Sequence, residues 1–171
     1  MLSDITLPAI EVICYRMRER DKLEVYALRP HDNPYRLAWE AHAMILNQGR
    51  GKIAWHDGRP VALVAFTENW PGVWDVWMFG TDEFKSVAVE CVRWARKEVS
   101  EILKVCNGHR CQCDSRADYE EAHRLLKALG AHKEGPPMRR YGKDGSDFQR
   151  FVWFRGEDDA ILDLAKADQA A

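Results

Sequence analysis

Residues 72–99, GVWDVWMFGTDEFKSVAVECVRWARKEV, constrain this chain more than any other stretch. They read as a strand over 73–79, a tight turn, and a long amphipathic helix from residue 82 to about 103. Phe84, Val87, Ala88, Cys91, Val92, Ala95 and Val99 recur at helical spacing, so one face of that helix must be buried. A strand feeding a helix N-terminus suits phosphate binding, because free N–H groups and a partial positive charge meet there. Here Thr81 is placed to cap the helix, and Asp82 and Glu83 follow it. The chain's own carboxylates are thus expected to take the electrostatic role of an anionic ligand.

The flanking sequence supplies the rest of a sheet. AIEVICY, residues 9–15, reads as a first strand, and residues 19–28 as a short helix with Leu23, Tyr26 and Ala27 on one face. Asn33-Pro34 opens a helix to about residue 47, with Leu37, Ala38, Ala41, Met44 and Ile45 on one stripe and Gly49 and Gly51 ending it. Strands over 52–55 and 60–67 flank Asp57-Gly58, a strong hairpin signal. After Asn107-Gly108 come a short strand over 110–114 and a helix over 117–129, stopped by Gly130. Strands over 131–134 and 148–154 close the sheet, and the loop between them turns at Lys143-Asp144-Gly145. The pattern predicts one mixed α/β domain over residues 1–155, its open, mostly antiparallel, twisted sheet flanked by helices. Residues 156–171 read as an acidic, Ala-rich tail, a loose helix or frayed end.

Composition narrows the function classes. With 25 basic and 27 acidic residues the net charge is −2, which argues against general attraction to nucleic acid or membrane surfaces. No apolar run approaches the about 18 residues of a spanning helix. The start, MLSDITLPAIEVICYRM, has neither a basic segment nor a small-residue cleavage site, so a cytoplasmic location is expected. Five cysteines is an odd count, which fits reduced thiols there. Seven tryptophans imply one shared core and its rim.

The order of elements, the hairpin AWHDGRPVALVAF and the segment AHRLLKALGAHKEG are similar to the GCN5-related N-acetyltransferase (GNAT) superfamily over roughly residues 9–155. The run from Trp77 through Phe79-Gly80-Thr81-Asp82, with the ending HRLLKALGA…RRYGKDGSDFQRFVW, resembles the acetyltransferase-like internal virion proteins of short-tailed phages. That second resemblance implies a role in virion assembly or inside the particle, in a host cytoplasm, with other virion or host proteins as partners.

The first resemblance implies a site that can be read position by position. Met78, Phe79 and Gly80 would pair with a pantetheine arm, and Thr81, Lys85 and Ser86 would meet the phosphates. The superfamily's glycine-rich turn keeps only Gly80 here, and Phe84 adds bulk. Its usual acid, a Tyr in the last helix, falls on Leu126, while Tyr119 takes an Asn position. Asp75, Glu68 and Tyr141 are the remaining candidates for acid–base work. The departures point to a degenerate acyl-CoA site with no cofactor. The alternative is an active N-acetyltransferase that uses acetyl-CoA through a divergent loop.

Other constellations carry less. Cys106, His109, Cys111 and Cys113 cluster in CNGHRCQC, but the C-x-x-C knuckle of zinc sites is missing, so buried core cysteines are the preferred reading and no metal ligand is assigned. A cysteine nucleophile with His109 or His123 meets minimal needs without any spacing that compels it. His31, His42 and His56 read as loop or helix-face residues, and Arg139-Arg140 with Lys133 and Lys143 as a solvated loop. Trp70 to Trp74 forms an apolar turn that suits core packing or the rim of a cleft.

Overall fold

A computed structural model describes residues 1–156. The predicted tail over 156–171 lies outside the described residues apart from Gly156. The elements in chain order are β1 (Leu2–Ser3), α1 (Leu7–Tyr15), α2 (Glu19–Ala27), α3 (Pro34–Gln48), β2 (Gly49–His56), β3 (Arg59–Trp70) and β4 (Val73–Gly80). After β4 come a 3-10 turn (Asp82–Ser86), α4 (Ala88–Lys104), β5 (Arg110–Arg116), α5 (Glu120–Ala128), β6 (His132–Lys133) and β7 (Phe148–Phe154). The mixed sheet runs β1-β2-β3-β4-β5-β7-β6. All pairings are antiparallel except β4 with β5.

Two apolar layers hold it together. Ile10, Ile13, Leu37 and Ala41 of α1 and α3 cover one face, against Ile53, Leu63 and Phe79. Cys91, Ala95, Val99 and Ile102 of α4 cover the other, against Val64, Phe66, Cys111 and Trp153. In β4 the alternation is plain: Trp74 and Val76 belong to the α4 side and Phe79 to the α1 side.

Four expectations need correction. Residues 9–15 are helical, not a strand. Pro8 sits in the first turn, where its missing N–H costs nothing, and the buried Ala9, Ile10, Ile13 and Cys14 follow a helical stripe. The single helix from residue 82 is broken at Val87 into the 3-10 turn and α4, and Phe84 and Val87, three apart, both turn into the core. Gly51 lies inside β2 instead of ending α3, and Leu23 faces solvent. Elsewhere local chemistry acts as read. Asn33 Oδ1 accepts from the Tyr35 and Arg36 N–H groups, and Asp57 and Gly58 both have positive φ in the hairpin turn.

Candidate active site

The parallel contact between β4 and β5 is short. It spans Val73, Trp74 and Asp75 against Arg110, Cys111 and Gln112, and the strands then part. The sheet is therefore split into a V. Gly80 shows which backbone groups face the split: its N–H donates to Asp21 Oδ2 (2.8 Å) and its C=O accepts from the Arg18 N–H (3.0 Å), away from β3. Two residues back, Met78 points its N–H and C=O the same way, with no strand opposite among the described residues. Across the V the Arg116 N–H donates to Glu24 Oε2 (2.8 Å), which also accepts from Ser115 Oγ (2.6 Å).

Helix α2 therefore spans the open end of the V. Asp21 satisfies one strand edge and Glu24, three residues on and on the same helical face, satisfies the other. Behind them a cleft of about 420 Å³ runs between α4 and α5. Its depths are apolar: Val76, Met78, Val92, Ala95, Leu125 and Leu129. Its mouth carries charge from Arg18, Lys85, Arg124 and Glu121.

Asp21 is buried, with Tyr119 Oη donating to Oδ1 at 2.9 Å. Arg18 Nε lies 2.9 Å from the same oxygen, yet its N–H is aimed past it; the contact is ionic, not a hydrogen bond. The Arg18 guanidinium also lies 4.6 Å above the Phe84 ring. Burial raises the Asp21 carboxyl above its usual range, and the Arg18 charge opposes this. Burial likewise raises the Tyr119 phenol. Glu24 is pushed up to about 7 by burial, against the hydrogen bonds from Ser115 and Arg116. A carboxylate near that value is matched to proton transfer at neutral pH.

The candidates from the sequence divide. Met78, Phe79 and Lys85 line the cleft. Gly80 borders it with its N–H already used by Asp21. Thr81 donates its N–H to Val61 O and caps the following turn through its hydroxyl, and Ser86 is exposed. Asp75 accepts from Gln112 Nε2 (3.0 Å) at the apex of the V, and Glu68 accepts from the Gly72 N–H (2.9 Å) in the β3–β4 turn; neither lines the cleft. Tyr141 lies edge-on to Phe148 and walls a shallow hollow beside Arg29. Asp82 and Glu83 sit in the first turn after the Thr81 cap; neither lines the cleft, and Glu83 lies 3.6 Å from Arg59.

Arg18, Asp21, Glu24, Arg29 and Tyr119 were not singled out from the sequence as site residues. The spacing of Asp21 and Glu24 on one helix face was the available signal. Of the cysteine cluster, Cys111 and Cys113 turn into the core with thiols raised by burial, and Cys106 Sγ lies 3.0 Å from Arg50 Nη2. No group of three or more His, Cys, Asp or Glu is arranged to hold a metal among the described residues.

No protein-family model matches the sequence, and no curated protein matches it. Solved structures do match. A variant of the spermidine N-acetyltransferase SpeG from Vibrio cholerae superposes with a TM-score of 0.67 at 14% identity, over 92% of this chain and 94% of that one. A GNAT-family acetyltransferase from Bacillus anthracis gives 0.69 at 10% identity, over 91% and 95%. The ribosomal L7/L12 α-N-protein acetyltransferase RimL, solved with coenzyme A, gives 0.68 at 10% identity, over 90% and 92%. The class these define is architectural: the chain has the GNAT fold, with the sheet order and split described above.

Proposed function

We propose that this protein is an acyltransferase-type enzyme that draws an acyl thioester into the split between β4 and β5, with Glu24 as the general base for an amine acceptor. One observation carries the reading: the V is open, with a backbone edge at Met78 that no strand among the described residues pairs, and a raised carboxylate at its wide end. The residues suit the arm of acetyl-CoA, since Met78 offers strand-like pairing and Val76, Leu125 and Leu129 offer apolar walls. Lys85, Arg18 and Arg124 would meet its phosphates by side chain instead of a glycine cradle. A bound thioester supplies an activated carbonyl carbon. Glu24 takes the proton that the amine gives up as the C–N bond forms; the C–S bond breaks and the thiolate leaves with a proton from solvent. Ser115 and the Arg116 N–H hold the carboxylate in place.

A second reading is favoured by the turn after β4. Its Phe84 and Val87 N–H groups donate to Thr81 O and Phe84 O, Glu83 N–H donates to Thr81 Oγ1, and Phe84 stands where a glycine is wanted. On that reading the acyl-CoA site is degenerate, no cofactor is used, and the protein is a phage-encoded virion or virion-assembly component working with other virion or host proteins. The sequence resemblance to internal virion proteins supports it. A thermal melt with acetyl-CoA separates the two. Saturation at about 100 times Kd adds roughly 2.7 kcal/mol, or about 5–10 °C. An unmoved melt favours the second reading, and an upward shift the first.

A further inference from the structure

Helices α1 and α3 each bury one stripe in the sheet and carry a second apolar stripe on the side turned away from it. In α3 the inward residues are Leu37, Ala38, Ala41 and Ile45. At about 3.6 residues per turn, Tyr35, Trp39, His42, Ala43 and Leu46 fall on the opposite side. Tyr35, Trp39 and Leu46 are 61%, 63% and 66% exposed, and His42 and Ala43 between them are half-buried. In α1, Val12 and Tyr15 stand exposed opposite the buried Ile10 and Ile13. None of these residues lines the cleft. Apolar side chains scattered singly over a surface are ordinary, but a row of them along one helix marks an interaction face.

The chemistry of the stripe says what fits it. It holds no acidic or basic side chain apart from His42. The charges at its edge are engaged within the chain: Arg36 Nε donates to Glu40 Oε1 at 2.8 Å, and Glu40 Oε2 lies 3.0 Å from His31 Nε2. The complementary surface is therefore apolar and uncharged, and α3 offers such a surface to its own copy. Antiparallel pairing about a two-fold axis between His42 and Ala43 sets Trp39 opposite the partner's Leu46, and Leu46 opposite the partner's Trp39. These two positions are seven residues apart, about 10 Å along the helix, so both contacts form on one face. On the axis each residue meets its own counterpart. Ala43 there is small enough for close helix approach, and no like charges face each other.

The area is also sufficient. A buried aromatic side chain covers about 150–250 Å², so Tyr15, Tyr35 and Trp39, each about two-thirds exposed, supply roughly 300–500 Å². Leu46 and Val12 add to this. A standard interface buries about 800 Å² per partner, a little over half of it apolar, which is roughly 450 Å².

We propose that this face binds a second copy of the chain. The dimer is two-fold and forms through α3, with Trp39 against the partner's Leu46 at both ends, Ala43 against the partner's Ala43 on the axis, and α1 at the flank. It does not depend on the acyltransferase reading, because the face and the cleft share no residue.

The test is sedimentation velocity on the full chain from about 1 µM, the weak limit for interfaces of this size, upward. The native chain should sediment at twice the chain mass. Trp39→Ala and Leu46→Ala should each weaken the dimer at least tenfold. Ala43→Lys and Ala43→Glu should each sediment as monomers, and an equimolar mixture of the two should regain the double mass, because opposite charges then meet on the axis. Leu46→Lys mixed with Trp39→Glu provides a second such pair at more exposed positions, with circular-dichroism melts to show that each variant folds. A native chain that stays monomeric overturns the proposal. So does a dimer that survives Trp39→Ala and Leu46→Ala, or two mixtures that both stay monomeric. A monomer that instead cosediments with phosphatidylcholine–phosphatidylglycerol vesicles, and loses this with Trp39→Ala, gives the face to a lipid surface and also overturns it.

Discussion

At the residue scale two carboxylates of one helix stand out, Asp21 and Glu24, both raised by burial. Glu24 has a folded value of about 7 against an ordinary 4.5. Between those values the folded chain binds more protons than the unfolded one, so the stability from this group is complete below pH 4.5 and is lost as pH rises through 7. Glu24→Gln keeps an acceptor for Ser115 and Arg116 but cannot ionise. Urea titrations across that window should show a flatter pH profile for the variant, by on the order of 1–3 kcal/mol. On the acyltransferase reading activity runs the other way: it should rise with pH through about 7 in the native protein and be largely lost in the variant. Asp21 is the structural member of the pair. Asp21→Ala strands the Arg18 cation and the Gly80 N–H, and should cost about 3–5 kcal/mol in chemical denaturation. These residues were hard to find in the sequence because nothing local marks them. An Asp and a Glu three apart on a short polar helix read as a solvated face until β4 and β5 are known to end opposite them.

At the scale of elements, legibility followed the strength of local signals. The β2–β3 hairpin, the α3 cap at Asn33 and the strand of 73–79 were readable because turn and cap residues act within a few positions. Helix α1 was misread because AIEVICY is apolar enough for either state over so short a run, and only Pro8 and the spacing of the buried residues decide it. The break at Val87 was hidden because a 3-10 turn and an α-helix share the i, i+3 spacing that brought Phe84 and Val87 to one side. The hairpin offers a direct check. Gly58 has φ +71 and open space around the position of a Cβ, so Gly58→Ala pays only the left-handed backbone penalty, about 1–2 kcal/mol by urea denaturation. A larger loss would mean the turn sets strand register as well.

At the scale of the whole molecule, the GNAT fold was legible in the order of elements, while the contents of its cleft were not. The split arises from where β4 and β5 stop pairing, and no single residue announces that. Ala122 on α5 lines the cleft and is half-buried. Ala122→Phe should fill the cleft and leave the unliganded melt nearly unchanged. It should also weaken the acetyl-CoA response by roughly tenfold or more, as one displaced wall contact and the lost space allow. The apex of the V has its own consequence. Three rungs join the two halves of the sheet, and beside them Gly72, at φ +84, lies so close to the His109 ring that any side chain there would push it away. That junction should act as a fulcrum: a small wedge driven in at Gly72 or His109 would be carried by the lengths of β4 and β5 into a wider gape at their far ends. Sensitivity to substitution should therefore be high at Gly72 and His109, which do not line the cleft.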